Sequence, residues 1–573
     1  MTAEVPVPHN VPRVAASVAM PCPRTRFHRP GGLGHASDRF RAGPPAVRPL
    51  GSRSMYWCRN LATLVRALGA CVVLLPLLHA CRDADRPTAG AIDLRAPRPA
   101  AQTGLPDRDL AAPRAVGQSA PAVRAASPQI GSVPEFLVGQ WSSVFPAPVV
   151  QLHLHLLPNG KVLSWGHTGD PQVWDPTTSA FTAVPSPSLL FCAGHDFLPD
   201  GRLLVAGGHM GNGLGLRNTN VFDAGTGSWQ AGAAMAQGRW YPTNTTLPSG
   251  EVVTIGGTDE SGTYVTIPEV WDGTSWRRLT TADLQVSYYP RTFVAPDGRV
   301  FYAGDWQPSR YLDVTGTGSW TDGPLRKFSM RDYGSAVMYE PGKILYVGGG
   351  DPPTNTAEII NLNQPNPEWM YTGPMAFPRR HLNATVLPTG DVLVTGGTSA
   401  GGFNEPLGAV HAAELWSPAT GTWTLMASNS VIRIYHSTSL LLPDGRVLHT
   451  GSGDAAGAVD ELNYELYSPP YLFQGARPNI TGATPDVVGY GQTVSVETPD
   501  GPSITKVTFI RLSSVTHAFD QGTRLVPLSF SQAIGGLSVT LPGSRTTAPP
   551  GPYMLFLVNG IGVPSVARIM KLE

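Results

Sequence analysis

Cysteine is almost missing from the part of this chain that reads as folded: of five in 573 residues, four lie at or before residue 81, which leaves Cys192 alone. An internal disulfide framework is therefore excluded for the body of the protein. Charge is scarce too, at 14% of residues, and 41 basic side chains are balanced by 41 acidic ones. With no basic tract, the electrostatic footprint of a nucleic-acid or anionic-membrane binder is missing, and no nucleic-acid partner is expected. Nor is there a long hydrophobic run. The strongest, Leu68-Gly69-Ala70-Cys71-Val72-Val73-Leu74-Leu75-Pro76-Leu77-Leu78, falls short of the ~20 residues that a membrane-spanning helix needs. Turn formers abound instead, 64 glycines and 56 prolines, which with low charge points to β-structure.

Residues 1–135 are rich in Ala, Pro and Arg and show no periodic apolar pattern outside that run, a composition that does not build a packed core. Preceded by Arg59 and Arg66, the run reads as the core of a signal peptide over 55–81. Met55 stands where its basic start would fall, which makes 1–54 a non-structural extension. Leu78-His79-Ala80-Cys81 resembles the box at which bacterial lipoproteins are cleaved and lipidated on cysteine. A lipid anchor at Cys81 and plain cleavage near Ala80 both stand open, and either exports the body to the cell envelope or the extracellular space. Residues 82–135 then form an Ala/Pro-rich linker.

Beyond residue 135 the chain repeats itself. A Leu-Pro-x-Gly turn followed by a β-branched and aliphatic run recurs with its proline at Pro158, Pro199, Pro248, Pro296, Pro341, Pro388 and Pro443; Ala295-Pro296-Asp297-Gly298 and Glu340-Pro341-Gly342 are the looser copies. Their separations of 41, 49, 48, 45, 47 and 55 residues suit four-stranded propeller blades of about 40 to 50 residues. In Leu198-Pro199-Asp200-Gly201-Arg202-Leu203-Leu204-Val205-Ala206-Gly207-Gly208 the turn precedes a short buried strand, and the paired glycines permit positive φ or close backbone approach. Tryptophans that follow turns, among them Trp229, Trp276, Trp320, Trp369 and Trp423, are expected to pack between blades. Near Tyr467-Ser468-Pro469-Pro470 the pattern gives way to short alternating strands such as Val494-Ser495-Val496. The expected fold is all-β: a seven-bladed β-propeller over 136–470 and an immunoglobulin-like β-sandwich over 471–573.

Such a scaffold does not specify chemistry, which is displayed on its loops. Four strings stand out. They are Phe191-Cys192-Ala193-Gly194 in the second copy, Gly238-Arg239-Trp240-Tyr241-Pro242 opening the third, Arg433-Ile434-Tyr435-His436-Ser437 opening the seventh, and Ser514-Val515-Thr516-His517-Ala518-Phe519 in the terminal domain. Singly each has a plain reading: an unpaired cysteine is usually a small buried hydrophobe, and a Tyr-His pair is usually packing plus a hydrogen bond. Together, in this order, they resemble the copper radical oxidases of the galactose oxidase and glyoxal oxidase family over roughly 136–573.

That resemblance implies a kelch-type propeller followed by an early set domain, one loop of which reaches the metal through the propeller. It implies one copper ion held by Tyr241, Tyr435, His436 and His517, and a thioether between Cys192 and the Tyr241 ring, a protein-derived Cys-Tyr radical cofactor. The implied reaction oxidises a primary alcohol, small aldehyde or hydroxycarbonyl with O2 to give H2O2, with Cys192, Tyr241 and Tyr435 as catalytic groups and Tyr435 accepting the substrate proton. The residue types agree with that chemistry, because copper(II) favours nitrogen and oxygen donors in a near-square arrangement. A two-electron oxidation also needs a second one-electron site beside the metal, and a ring sulfur makes a tyrosine easier to oxidise.

Other histidines read as structural: His153 and His155, two apart on one strand face, with His381 and His411. His195, close to Cys192, reads as a group that orients its neighbours. Galactose oxidase carries a stacking tryptophan after the Gly-Gly of the third copy; here Gly256-Gly257-Thr258 leads to Asp259. Arg239-Trp240-Tyr241-Pro242 looks closer to the glyoxal oxidase branch, and Trp240, Tyr264 and Trp306 are candidates for covering the radical. The rival reading is a non-enzymatic, surface-tethered kelch propeller that binds glycans or proteins and needs neither copper nor Cys192.

Overall fold

The computed structural model describes residues 133–573 except 456–457 and 483–484, so the extension, the signal segment, Cys81 and residues 82–132 of the linker lie outside the described residues. Within the remainder, each repeat copy forms one antiparallel sheet, and the seven sheets are the blades of a β-propeller. In the second copy Gly194–Phe197, Leu203–Ala206, Thr219–Asp223 and Ser228–Ala231 pair in chain order. The Leu-Pro-x-Gly motif is the turn between the first two strands. Gly201 takes φ 92° there and its amide donates to the Leu198 carbonyl at 3.0 Å, a geometry that disfavours a β-carbon.

First strands such as His153–Leu156, Gly194–Phe197, Thr243–Thr246 and Asn383–Val386 are buried at every position, and those of neighbouring blades touch around the axis. Tryptophans join the blades as the turn pattern predicts. Trp229, Trp320 and Trp423 donate their indole N–H to the carbonyls of Val184, Ala282 and Gly373, each beyond the outer strand of the preceding blade, at 2.9, 3.1 and 2.6 Å. The seventh blade is completed from the other end of the described chain, with Gln140 opposite Ser468 and Trp141 opposite Tyr467, which closes the ring.

The terminal domain is a β-sandwich whose core includes Val496, Phe509, Leu537, Val539, Leu555 and Leu557. Between its strands Ile504–Arg511 and Leu525–Ala533 the chain leaves the sandwich as a hairpin, Ser514–Thr516 and Phe519–Asp520, and enters the propeller. There it extends the first blade, with Thr516 opposite His153 and Ser514 opposite His155. The Gln521 side-chain carbonyl accepts the amides of His195 and Asn244 at 3.2 and 3.0 Å, which ties the hairpin to the second and third blades. Behind it Arg511 pairs with buried Asp196 at 3.4 Å.

Candidate metal centre

The links between blades share one backbone conformation. Cys192, Tyr241, Tyr289, Tyr333, His381 and His436 each stand just before a first strand, with φ of 62°, 66°, 43°, 52°, 58° and 69°. Left-handed backbone costs a non-glycine residue ~1–3 kcal/mol and persists only where the surroundings hold it. Arginines hold it here. Arg239, Arg331, Arg379 and Arg433, just upstream in four of these links, donate from Nη1 to the carbonyls of Gly256, Gly348, Gly396 and Gly451 at 2.8–2.9 Å. They pair in the interior with Glu269, Glu358, Glu414 and Glu465. Adjacent links also bond one another: the amide of Tyr241 donates to the Cys192 carbonyl, that of Tyr289 to Tyr241, and that of His381 to Tyr333, all at 2.9 Å.

Into this ring the hairpin delivers His517. The Tyr241 and Tyr435 hydroxyls lie 2.5 Å apart, and His517 Nε2 lies 2.8 Å from the Tyr241 hydroxyl. Tyr435 stacks on His436 at 3.7 Å between ring centres, and the His436 and His517 rings are 4.7 Å apart. His436 donates from Nδ1 to the Gly453 carbonyl at 2.6 Å, which leaves Nε2 a buried lone pair with no partner. Thr516 Oγ1 meets His517 Nδ1 at 2.7 Å and orients that ring.

Burial decides the charge state of these groups. It lowers His436 to about 3 and holds His517 well below the ordinary imidazole value, so both stay neutral, the form that ligates metal. Burial, with Cys192 next in effect, pushes the Tyr241 and Tyr435 phenols up. A bound cation is the compensation that lets such phenols ionise in an apolar site. Two imidazole nitrogens and two phenol oxygens, one nitrogen left bare, fit a copper ion. Among the described residues no three His, Cys, Asp or Glu side chains gather for a metal, so a centre here depends on its tyrosines. Cys192 is a buried free thiol and shares an apolar cluster with Tyr241, Leu152, Phe191, Trp240 and Tyr289.

Trp240 lies flat on Tyr241, 3.7 Å between ring centres at 8°, and its indole N–H donates to His209 Nδ1 at 3.1 Å. The other two candidates lie elsewhere: Tyr264 stacks on Tyr288 at 5.3 Å, and Trp306 begins the strand Trp306–Asp313 of the fourth blade. Asp259 is engaged in a turn, where its carboxylate accepts the amides of Ser261 and Thr263.

His153 is more than a strand-face residue. Its Nε2 accepts the Cys192 amide at 3.1 Å, its Nδ1 meets His195 Nε2 at 3.0 Å, and His195 Nδ1 meets Ser514 Oγ at 2.6 Å. Because the amide occupies Nε2 of His153, each neutral ring carries its proton on Nδ1, and the donors run one way from Cys192 to the hairpin. His195 thus reaches Cys192 only through His153. His155 packs on Trp165 at 4.4 Å, and His411 bonds the Asn429 carbonyl at 3.1 Å. His381, by contrast, brings its ring to 5.2 Å from Tyr435. Tyr333, Tyr289 and Phe403 also belong to the site: Tyr333 and Phe403 meet Tyr435 at 5.6 and 4.7 Å, and Tyr289 stacks on His517 at 4.5 Å. A signal for the links does stand in the sequence, as Arg239-Trp240-Tyr241, Arg331-Asp332-Tyr333 and Arg379-Arg380-His381.

A buried cluster of two phenols and two imidazoles, completed by a hairpin threaded into the propeller, has the donor set that suits a mononuclear copper centre. Residues 165–338 and 350–471 match the glyoxal oxidase N-terminus family, and 477–572 match the galactose oxidase-like early set domain. Galactose oxidase of Gibberella zeae is 30% identical over 493 residues, 77% of this chain and 71% of that one. The aldehyde oxidase GLOX of Vitis pseudoreticulata is 32% identical over 434 residues, 67% of this chain and 82% of that one. A solved fungal alcohol oxidase of the AA5 family, in complex with copper, superposes with a TM-score of 0.71 at 27% identity over 76% of this chain and 99% of its own. The chain belongs to the copper radical oxidase family of galactose oxidase and glyoxal oxidase.

Proposed function

We propose that this protein oxidises a primary alcohol, or a small aldehyde or hydroxycarbonyl, with O2 to give H2O2, and that it is of the glyoxal oxidase type rather than galactose-specific. The observation that carries this reading is the meeting of Tyr241, Tyr435, His436 and His517 around a bare imidazole nitrogen, beside Cys192. In this reading those four residues hold one copper ion and Cys192 is joined to the Tyr241 ring by a thioether. Copper bound there supplies a one-electron couple and a Lewis-acid position for a substrate oxygen. Tyr435, packed edge-on against the Tyr333 ring, takes the proton of the substrate hydroxyl. Tyr241, oxidised to its phenoxyl, takes a hydrogen atom from the substrate carbon. Dioxygen accepts the two electrons and two protons and leaves as H2O2. An aldehyde enters this scheme as its hydrate, which presents the needed O–H and C–H.

Trp240 seals one face of Tyr241 against water. The turn at Asp259 leaves no indole in the galactose oxidase position, and the rings of Phe191, 5.8 Å from His436, and Phe403 offer apolar walls that suit a small carbonyl compound better than a hexose. The body acts outside the cytoplasm, at the cell envelope or beyond it, with or without a lipid on Cys81. Peroxide release from copper-loaded protein supplied with methylglyoxal, glycolaldehyde, galactose and simple alcohols tests the reading. Release is expected with the first two and not with galactose. Copper-loaded protein that releases none with any of them would favour the binding propeller.

A further inference from the structure

The aromatic contacts do not stop at Trp240. Tyr288 meets the edges of Trp240 and Tyr241 at 5.2 and 5.5 Å between ring centres, and stacks on Tyr264 at 5.3 Å and 23°. Trp240 and Tyr241 are buried, whereas Tyr288 and Tyr264 are half-buried, so the row runs from the metal site to solvent without a gap. Neither Tyr288 nor Tyr264 has a place in holding metal or taking the substrate proton. Electronic coupling falls off steeply with the gap between rings, and a row of touching oxidisable rings replaces one long electron step by several short ones. Proton acceptors stand ready along the row. Trp240 N–H points at His209 Nδ1, which burial keeps unprotonated, lowered to about 4, and the half-buried phenols of Tyr288 and Tyr264 are open to water.

We infer that Tyr241, Trp240, Tyr288 and Tyr264 form an electron path through which one-electron oxidants and reductants at the surface set the redox state of Tyr241. The path rests on the proposed function only in taking Tyr241 as the redox-active residue. In the oxidising direction Tyr264 gives one electron to an external acceptor of the ferricyanide class, which becomes ferrocyanide. The vacancy then moves inward through Tyr288 and Trp240 and comes to rest on Tyr241. Oxidised Trp240 shares its N–H proton with His209 Nδ1, the half-exposed phenols of Tyr288 and Tyr264 give their proton to water, and each takes it back on reduction; Tyr241, which a bound cation would hold ionised, loses the electron alone. With a one-electron donor the same path runs in reverse and quenches the phenoxyl.

Stopped-flow mixing of copper(II)-loaded protein, its Tyr241 not yet oxidised, with ferricyanide under nitrogen, followed by the rise of phenoxyl absorption, tests this. Tyr264→Phe keeps the ring but removes the oxidisable phenol, and should slow the rise by about tenfold or more through the higher barrier to oxidising phenylalanine. Tyr264→Trp should restore the rate. Peroxide-forming turnover on O2, a small molecule that needs no path, should be unchanged in both. A Tyr264→Phe rate equal to wild type, or a slowing that Tyr264→Trp leaves in place, would overturn the path. Wild-type protein that develops no phenoxyl absorption would overturn the proposed function, and the path with it.

Discussion

Replacing Trp240 by alanine separates its packing from its shielding of Tyr241. The indole is 5% exposed and lies 3.7 Å from the Tyr241 ring at 8°. Truncating a buried tryptophan costs ~3–5 kcal/mol through lost burial and the cavity left behind. The stacked contact accounts for about 0.5–1.5 kcal/mol of that. Against a native stability of ~5–15 kcal/mol the variant still folds, with a lower Tm. Trp240→Phe keeps a stacking ring and gives up the N–H bond to His209, a loss of about 1 kcal/mol. Thermal unfolding of copper-free protein reads the packing. Decay of the phenoxyl absorption under nitrogen, without substrate, reads the shielding, and should be about tenfold faster or more in Trp240→Ala, with Trp240→Phe between. An alanine variant that unfolds earlier but keeps a wild-type radical lifetime would defeat the shielding role.

Tyr435→Phe should lower kcat and kcat/KM together by about 10²–10⁴-fold with little change in KM, because the proton acceptor acts in the transition state; an effect confined to KM would count against that role. Arg511→Met strands Asp196 as a buried, unpaired carboxylate, so a loss of ~3–5 kcal/mol is expected, together with weaker copper binding as the hairpin bearing His517 loosens. Copper affinity that stays at the wild-type level, measured by titration, would show that this pair does not hold the hairpin. Burial keeps His195, His436 and His449 near about 3, below the 6.5 of a free imidazole, so between those values the unfolded chain binds protons that the folded rings refuse. Stability is then full above pH 6.5 and is lost as pH falls toward about 3, at up to ~1.4 kcal/mol per pH unit for each ring. Asp520, raised to about 7 by burial, acts in the opposite sense, stabilising at low pH and losing that effect as pH rises, but it is outnumbered. The Tm of copper-free protein should fall from pH 6.5 to 4, and a rise over that range would break the reasoning.

The propeller is legible in the sequence because its turns have a chemical requirement. A residue at positive φ after a Pro-containing turn must recur wherever a blade begins, and Gly201 and its six counterparts do so at steps of 41 to 55 residues. The site is legible only as a set of strings. No spacing says that His517 and Tyr241, 276 positions apart, will share a hydrogen bond, since that contact depends on a hairpin leaving one domain to enter another. Tyr289, Tyr333 and His381 escape a reading that weighs each link by itself, because their common feature is a left-handed backbone, with Arg331 and Arg379 upstream of the last two and Arg291 donating to the Tyr289 carbonyl. The choice among Trp240, Tyr264 and Trp306 turns on ring orientation at loop positions, where no periodicity operates. His153 is a strand-face residue, as its spacing from His155 indicates; what spacing does not carry is that the neighbouring strand belongs to the hairpin and that the Cys192 amide lies within reach.

Whether Cys192 and Tyr241 become one cofactor is settled by intact mass after exposure to copper and air. Joining Cys192 Sγ to a ring carbon of Tyr241 removes two hydrogens, one from the thiol and one from the ring, with O2 as the oxidant. The matured protein should be lighter by those two hydrogens, and Cys192→Ser, Tyr241→Phe and copper-free wild type should each keep their full mass. Copper-loaded wild type that also keeps its full mass would mean that the buried thiol of Cys192 stays a thiol and that no thioether cofactor exists in this protein.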